Sequence, residues 1–193
     1  MSLKILGGSY KNIPLKSPSS KLTKPTTSLM RKAVFDICQG YIQEANFLDL
    51  FACSGAMGLE ALSRGAAFST FIEKDRKTAR TLKENITKLK LEESTFVIIG
   101  DVFTALSRLI KQEKSYDIIY IDPPYPLFHD KTKPIEKLLA QIDSSSLLKE
   151  GGTLFLEEGS PSSFEKSSPL LQNIEKKNSR KFGDSYLHQF INR

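Results

Sequence analysis

The sequence contains no tryptophan and only two cysteines and two histidines. Cys38 and Cys53 cannot form a disulfide framework and lack metal-ligand spacing. With His129 and His188 as the only imidazoles, a structural zinc site is not expected, and no metal is assigned. This sparing use of cysteine suggests a reducing cytoplasm. No apolar run reaches the roughly 18 residues of a transmembrane helix, so no membrane association is expected. Residues 1–12 have no adequate apolar stretch and predict no signal peptide. Acid is missing from one region: residues 1–35 carry Lys4, Lys11, Lys16, Lys21, Lys24, Arg31 and Lys32 but neither Asp nor Glu. The other 158 residues hold 21 basic and 22 acidic side chains, so the net charge of +6 is concentrated at the N-terminus. Such a segment can bind phosphates with release of counterions. A solvated tail that serves only solubility is the alternative reading.

What is present fits one soluble globular domain: 193 residues, 39% hydrophobic and 26% charged. Ser17-Pro18-Ser19-Ser20 is a linker-like run. Thr26, Thr27 and Ser28 can cap a helix whose apolar positions are Leu29, Met30, Ala33, Val34 and Ile37. Strands are expected at 47–52, 70–73, 95–99, 116–121 and 153–157, the last entered through a turn at Gly151-Gly152. Between them lie helices over 57–64, stopped by Gly65, and after Asp75 and Asp101, each a capping acid. A further helix starts at Pro134. The tail reads as two strands joined around 181–184. Alternating strands and helices predict an α/β fold. It would be a doubly wound, mostly parallel, seven-stranded Rossmann-like sheet ending in an antiparallel C-terminal hairpin.

Three motifs carry chemistry. The run Asp49-Leu50-Phe51-Ala52-Cys53-Ser54-Gly55-Ala56-Met57-Gly58 follows a strand and opens a helix. Glycines there admit a ligand to the backbone, and the helix N-terminus favours negative charge. A tight turn that binds nothing would look the same. Glu73 ends the next strand, 18 residues after Gly55, where an acid can accept hydrogen bonds from ribose hydroxyls. Asp101 ends the third strand and could accept from an adenine amino group, although either acid could be no more than a cap. Three successive strand ends of this kind favour a nucleoside cofactor. The third motif is Asp122-Pro123-Pro124-Tyr125, after the fourth strand. An exocyclic amine such as guanine N2 is a poor nucleophile because its lone pair is delocalised into the ring. A carboxylate and the fixed carbonyl of Pro123 can accept its two N–H bonds. Tyr125 can stack on the base.

Together these motifs resemble those of S-adenosylmethionine (SAM)-dependent amino-methyltransferases. More closely, the chain resembles the RsmD-type 16S ribosomal RNA guanine-N2 methyltransferases. The further marks are Ile5-Leu6-Gly7-Gly8, Lys24-Pro25-Thr26-Thr27, Arg31, Phe35 and Leu59-Glu60-Ala61-Leu62-Ser63-Arg64-Gly65-Ala66. The family usually has Arg at Lys24, Asp at Ser28, Gly at Cys53 and often Phe at Tyr125.

The resemblance implies methylation of guanine 966 at N2 in 16S rRNA, within an assembling small ribosomal subunit. It implies SAM contacts from Asp49, Phe51, Ser54, Gly55, Gly58, Glu73, Lys74, Asp101, Val102, Thr26 and Arg31. It makes Asp122, Pro123, Pro124 and Tyr125 catalytic. RNA contacts are expected from Lys4, Lys11, Lys16, Lys21 and Lys24. A basic, RNA-contacting extension over 1–27 would precede a methyltransferase domain over 28–193. A DNA adenine-N6 methyltransferase would use the same Asp122 motif but normally carries a larger target-recognition domain. A protein-glutamine methyltransferase would prefer Asn at 122. A nicotinamide dehydrogenase would want Gly at 53. A non-catalytic RNA-binding assembly factor would leave Asp122 and Tyr125 unexplained.

Overall fold

The computed structural model describes residues 3–18, 27–124, 127, 133–159 and 171–193. Lys21, Lys24, Thr26 and Tyr125 lie outside them, as do most of the linker-like serines. The sheet has seven strands in the order β3-β2-β1-β4-β5-β7-β6: β1 Asn46–Asp49, β2 Phe68–Glu73, β3 Thr95–Ile99, β4 Tyr116–Ile121, β5 Leu148–Gly159, β6 Ile174–Phe182 and β7 Ser185–Asn192. The helices are α1 Ser28–Cys38, α2 Ala56–Ser63, α3 Arg76–Leu89, α4 Val102–Lys111 and α5 Pro134–Asp143. The chain forms two compact units, Met1–Ala105 and Leu106–Arg193.

In the first unit β1, β2 and β3 pair in parallel, with Asp49 beside Phe71 and Glu73 beside Ile99. Phe47, Leu48, Phe71 and Ile72 are buried, as a covered parallel sheet requires. The α3 helix shows how its sequence specifies it. Asp75 accepts the Thr78 N–H at 2.7 Å and caps its start. Ala79, Leu82, Ile86 and Leu89 recur on one face and are buried. Burying each of the larger three is worth about 1.5–3 kcal/mol. Its last turn closes on Lys90 at φ +57. The α2 helix stops as expected, with Gly65 at φ +105.

Two expectations for the elements are corrected. Leu29 is not part of the buried face of α1 but 62% exposed; the helix buries Met30, Arg31, Val34, Phe35 and Cys38 instead. Their spacing fits a helical stripe that leaves Leu29 on the far side of the first turn. Gly151-Gly152 does not precede β5 but lies within it. Pairing with β4 runs from Tyr116–Leu148 to Ile118–Thr153, so the glycines form a bulge, with Gly151 at φ +72.

In the second unit β4 and β5 are parallel, and β5-β7-β6 are antiparallel. The β6 strand lies at the sheet edge and carries Lys176, Lys177, Arg180 and Lys181, charges that discourage pairing with another chain. Its start is fixed by the buried Asp143 carboxylate, which accepts N–H bonds from Gln172, Asn173 and Ile174 at 2.7–2.8 Å. His188 is buried between Ser179 Oγ (2.8 Å) and Glu158 Oε2 (2.9 Å). Among the described residues no helix is long and apolar enough to cross a membrane, and no group of side chains is arranged to hold a metal ion.

Candidate functional site

The glycine-rich turn between β1 and α2 is built from backbone conformations few side chains tolerate. Cys53 sits at φ +49 and Gly55 at φ +80. A Cβ on Gly55 would lie 2.2 Å from Leu82, and one on Gly58 would lie 2.3 Å from Phe71. Both glycines are therefore required for packing α2 onto its own unit. Cys53 adopts the left-handed conformation where the resembling family has glycine.

Asp49, at the end of β1, is 2% exposed. Burial, aided by the nearby Glu73 charge, raises its carboxyl pKa from 3.8 to about 7 against the pull of backbone hydrogen bonds from Gly58 and Phe51. Its Oδ2 is buried with no hydrogen-bond partner among the described residues. A SAM molecule fits this chemistry: its ammonium and sulfonium charges suit a buried carboxylate oxygen short of a partner, and its carboxylate suits the adjacent helix N-terminus.

A pH dependence follows. The folded-state pKa lies above the unfolded one, so this group's stabilising contribution is full below about pH 4 and is lost as pH rises through about 7. The stability of wild type relative to Asp49→Asn should therefore fall between about pH 4 and 7, by at most about 1.4 kcal/mol per unit. Paired thermal melts measure this; a difference that stays flat or rises with pH contradicts the assignment.

Glu73 closes β2 and binds the same turn. Its Oε2 accepts the Cys53 N–H at 2.9 Å and its Oε1 accepts the Asp75 N–H at 2.7 Å. Partial burial raises its pKa, opposed by the Asp75 and Cys53 N–H groups. A carboxylate has about four acceptor sites, so two hydroxyls can still be accommodated. The Gly100 N–H donates to the Glu73 carbonyl at 3.0 Å. Asp101 follows directly; its Oδ1 accepts from Phe103 N–H at 3.0 Å, the capping role, and Lys74 Nζ lies 3.4 Å from its Oδ2. The first unit thus brings together Asp49, the glycine turn, Glu73, Lys74 and Asp101. Ser54 and Val102 are buried beside these elements' ends, and Phe51 is half-buried.

The N-terminal segment folds back on itself, with Ile5 and Asn12 exchanging backbone bonds with Ile13 and Ile5 and with Lys4 bridged to Pro14. This hairpin docks on α2. The buried Glu60 accepts the Leu6 N–H at 2.7 Å and Arg64 Nε at 2.8 Å. Ser63 donates to the Gly7 carbonyl and accepts the Tyr10 N–H. A Cβ on Gly8 would lie 1.7 Å from the Ser63 carbonyl oxygen. The Gly7-Gly8 and Leu59–Ala66 blocks of the family pattern are therefore two sides of one contact. Arg31 is buried and donates to the Lys4 carbonyl at 2.9 Å. Lys4, Lys11 and Lys16 are exposed, and Lys16 pairs with Glu84 at 2.8 Å.

One residue here was missed by the sequence reading. Asn85, fully buried, donates to the Ser54 carbonyl (2.9 Å) and the Lys16 carbonyl (3.0 Å) and accepts the Lys16 N–H (2.8 Å). It joins the hairpin to the glycine turn. A polar residue between Leu82 and Ile86 on the buried face of α3 was the available signal.

In the second unit Asp122 follows the buried end of β4 and is half-buried; Pro123 is buried and Pro124 exposed. Tyr120 anchors the strand by donating to Glu157 Oε2 at 2.7 Å. The Pro124 carbonyl accepts the Leu127 N–H at 3.0 Å.

The model of the family described as Conserved hypothetical protein 95 matches residues 3–191. Ribosomal RNA small subunit methyltransferase D of Buchnera aphidicola subsp. Acyrthosiphon pisum is 35% identical over 150 residues, covering 78% of this chain and 71% of that protein. The protein of the same name from Escherichia coli K12 is 32% identical over 155 residues, covering 80% and 74%. Among solved structures, Escherichia coli yhhF superposes with a TM-score of 0.82 at 25% identity, covering 100% of this chain and 99% of the other. The chain belongs to the Conserved hypothetical protein 95 family, the family of the ribosomal RNA small subunit methyltransferases D.

Proposed function

We propose that this protein is a SAM-dependent ribosomal RNA methyltransferase whose acceptor is the N2 amine of a guanine in 16S rRNA, guanine 966 being the position the family resemblance implies. The observation that carries the reading is the partner-less Oδ2 of Asp49 beside the glycine turn and Glu73, on a chain that also places Asp122-Pro123-Pro124 at the end of β4. SAM supplies an electrophilic methyl group on a sulfonium. Asp49 faces the cation, Glu73 accepts from the ribose, and Asp101 accepts from the adenine amine. Lys74, Phe51, Val102, Thr26 and Arg31 complete or support that site. Asp122 and the Pro123 carbonyl accept the two amine N–H bonds, Tyr125 stacks on the base, and displacement at the methyl carbon is in line. Catalysis then rests on positioning and on charge arranged in advance. The base must leave its stack to be reached.

Residues 1–27 form the proposed RNA-contacting layer, with Lys4, Lys11, Lys16, Lys21 and Lys24 on phosphates, and 28–193 the methyltransferase domain. An assembling small subunit in the cytoplasm is the proposed setting. Mass-spectrometric mapping of small-subunit rRNA from cells with and without the protein tests the acceptor. One N2-methylguanosine lost on deletion is expected; a lost N6-methyladenosine, or no lost nucleoside, overturns the assignment.

A further inference from the structure

Averaged over residues 36–193 the charge nearly cancels, but the fold concentrates cations on one helix. From Lys74 to Lys90 there are seven basic side chains and two acidic ones. Arg76, Arg80, Lys83 and Lys90 stand at i, i+4, i+7 and i+14, a single exposed stripe along α3 and its cap that flanks the buried Ala79, Leu82, Ile86 and Leu89. All four are exposed, and the Arg80 side chain is 85% accessible. The two acids are engaged: Asp75 caps the helix, and Glu84 lies between Lys16 (2.8 Å) and Arg80 (3.5 Å). Arg76, Lys77 and Lys83 make no ion pair among the described residues.

This arrangement works against the helix that bears it. The first turn holds no acid and two cations, Arg76 and Lys77, where the macrodipole favours negative charge. Arg76–Arg80 and Arg80–Lys83 are like-charge neighbours at helical contact spacing. Such a stripe fits a polyanion. The docked hairpin extends it, since Lys88 Nζ donates to the Pro14 carbonyl at 2.6 Å and Lys16 is held at Asn85 and Glu84.

We propose that the outward face of α3 is an RNA phosphate-binding surface, continuous with the N-terminal hairpin, that grips the substrate backbone away from the reacting base. The proposal rests on the RNA-methyltransferase reading above and adds the place and chemistry of the grip. Filter binding of small-subunit rRNA fragments across a salt series, with SAM titrations and methylation assays in parallel, tests it on the full chain. The triple variant Arg76→Gln, Lys77→Gln, Lys83→Gln keeps helix-forming residues. Each lost phosphate contact lowers the slope of log affinity against log salt by about 0.7 on single-stranded RNA, so a drop near 2 is expected, with unchanged SAM affinity. The charge-conserving Arg76→Lys, Lys77→Arg, Lys83→Arg variant should keep the wild-type slope, which separates loss of charge from loss of fold. A glutamine variant with the wild-type slope, while wild type binds and methylates rRNA, overturns the α3 surface alone and leaves the helix to an acidic protein partner or to solubility. Wild type that neither binds nor methylates rRNA overturns the substrate reading as well.

Discussion

Replacing Asp122 by alanine is expected to slow single-turnover methyl transfer by at least about 10²–10³-fold while SAM affinity stays nearly unchanged. That range is the usual cost of deleting one arranged electrostatic partner of a transition state. The acceptor amine has little nucleophilicity of its own and gains it only as its N–H bonds are accepted. Asp122, the proposed acceptor of such a bond, is a half-buried carboxylate at the end of β4, and the buried Pro123 restricts the backbone that follows. Asp49 and Glu73, the proposed cofactor groups, belong to the first unit and Asp122 to the second. Transfer and cofactor binding should therefore separate cleanly. Quenched-flow rates with preformed protein–SAM complex measure the first, and calorimetry the second. A variant that keeps most of the wild-type rate removes Asp122 from the chemistry.

Replacing Glu73 by alanine is expected to weaken SAM by about 1.5–3 kcal/mol, the range for a hydrogen bond to a charged group, or roughly 10–150-fold in Kd. Glu73 also holds the Cys53 and Asp75 N–H groups, so part of any loss could reflect a loosened turn. A SAM analogue lacking the ribose 2′-hydroxyl separates the two effects. If Glu73 accepts from the ribose, the analogue binds wild type less well than SAM does, and the alanine variant no longer distinguishes them. Equal discrimination by both proteins would move the ribose elsewhere and leave Glu73 a support for the turn.

The parts of this molecule that could be read from sequence are those specified by neighbours in the chain. Strands β3 and β4 fall at their expected residues, and Asp75 and Pro134 mark helix starts, because periodicity, caps and φ restriction act within a few residues. The glycine turn was legible for the same reason, and the positive φ of Cys53 accords with the family's glycine there. Contacts between distant segments were not legible. Nothing local announces that Glu60 receives the Leu6 N–H across 54 residues, that Asn85 bridges Lys16 to Ser54, or that Asp143 fixes the start of β6. The basic composition of the N-terminal extension was legible, but not that its hairpin packs within the first unit, where polar side chains of α2 and α3 satisfy its backbone. The charge on α3 was not legible for a different reason. A sum over 158 residues cancels a stripe that only helical geometry gathers onto one face.

The central claim, methyl transfer from SAM to an exocyclic amine of small-subunit rRNA, is tested most directly with the purified full chain. It would be supplied with SAM labelled in the methyl group and with small-subunit rRNA or subunits from cells lacking the protein, followed by digestion to nucleosides. The account predicts label in N2-methylguanosine, stoichiometric at one position, and its loss with Asp122→Ala. Label in another nucleoside, in DNA or in protein, or no transfer to RNA or subunits by a chain that binds SAM, would contradict it.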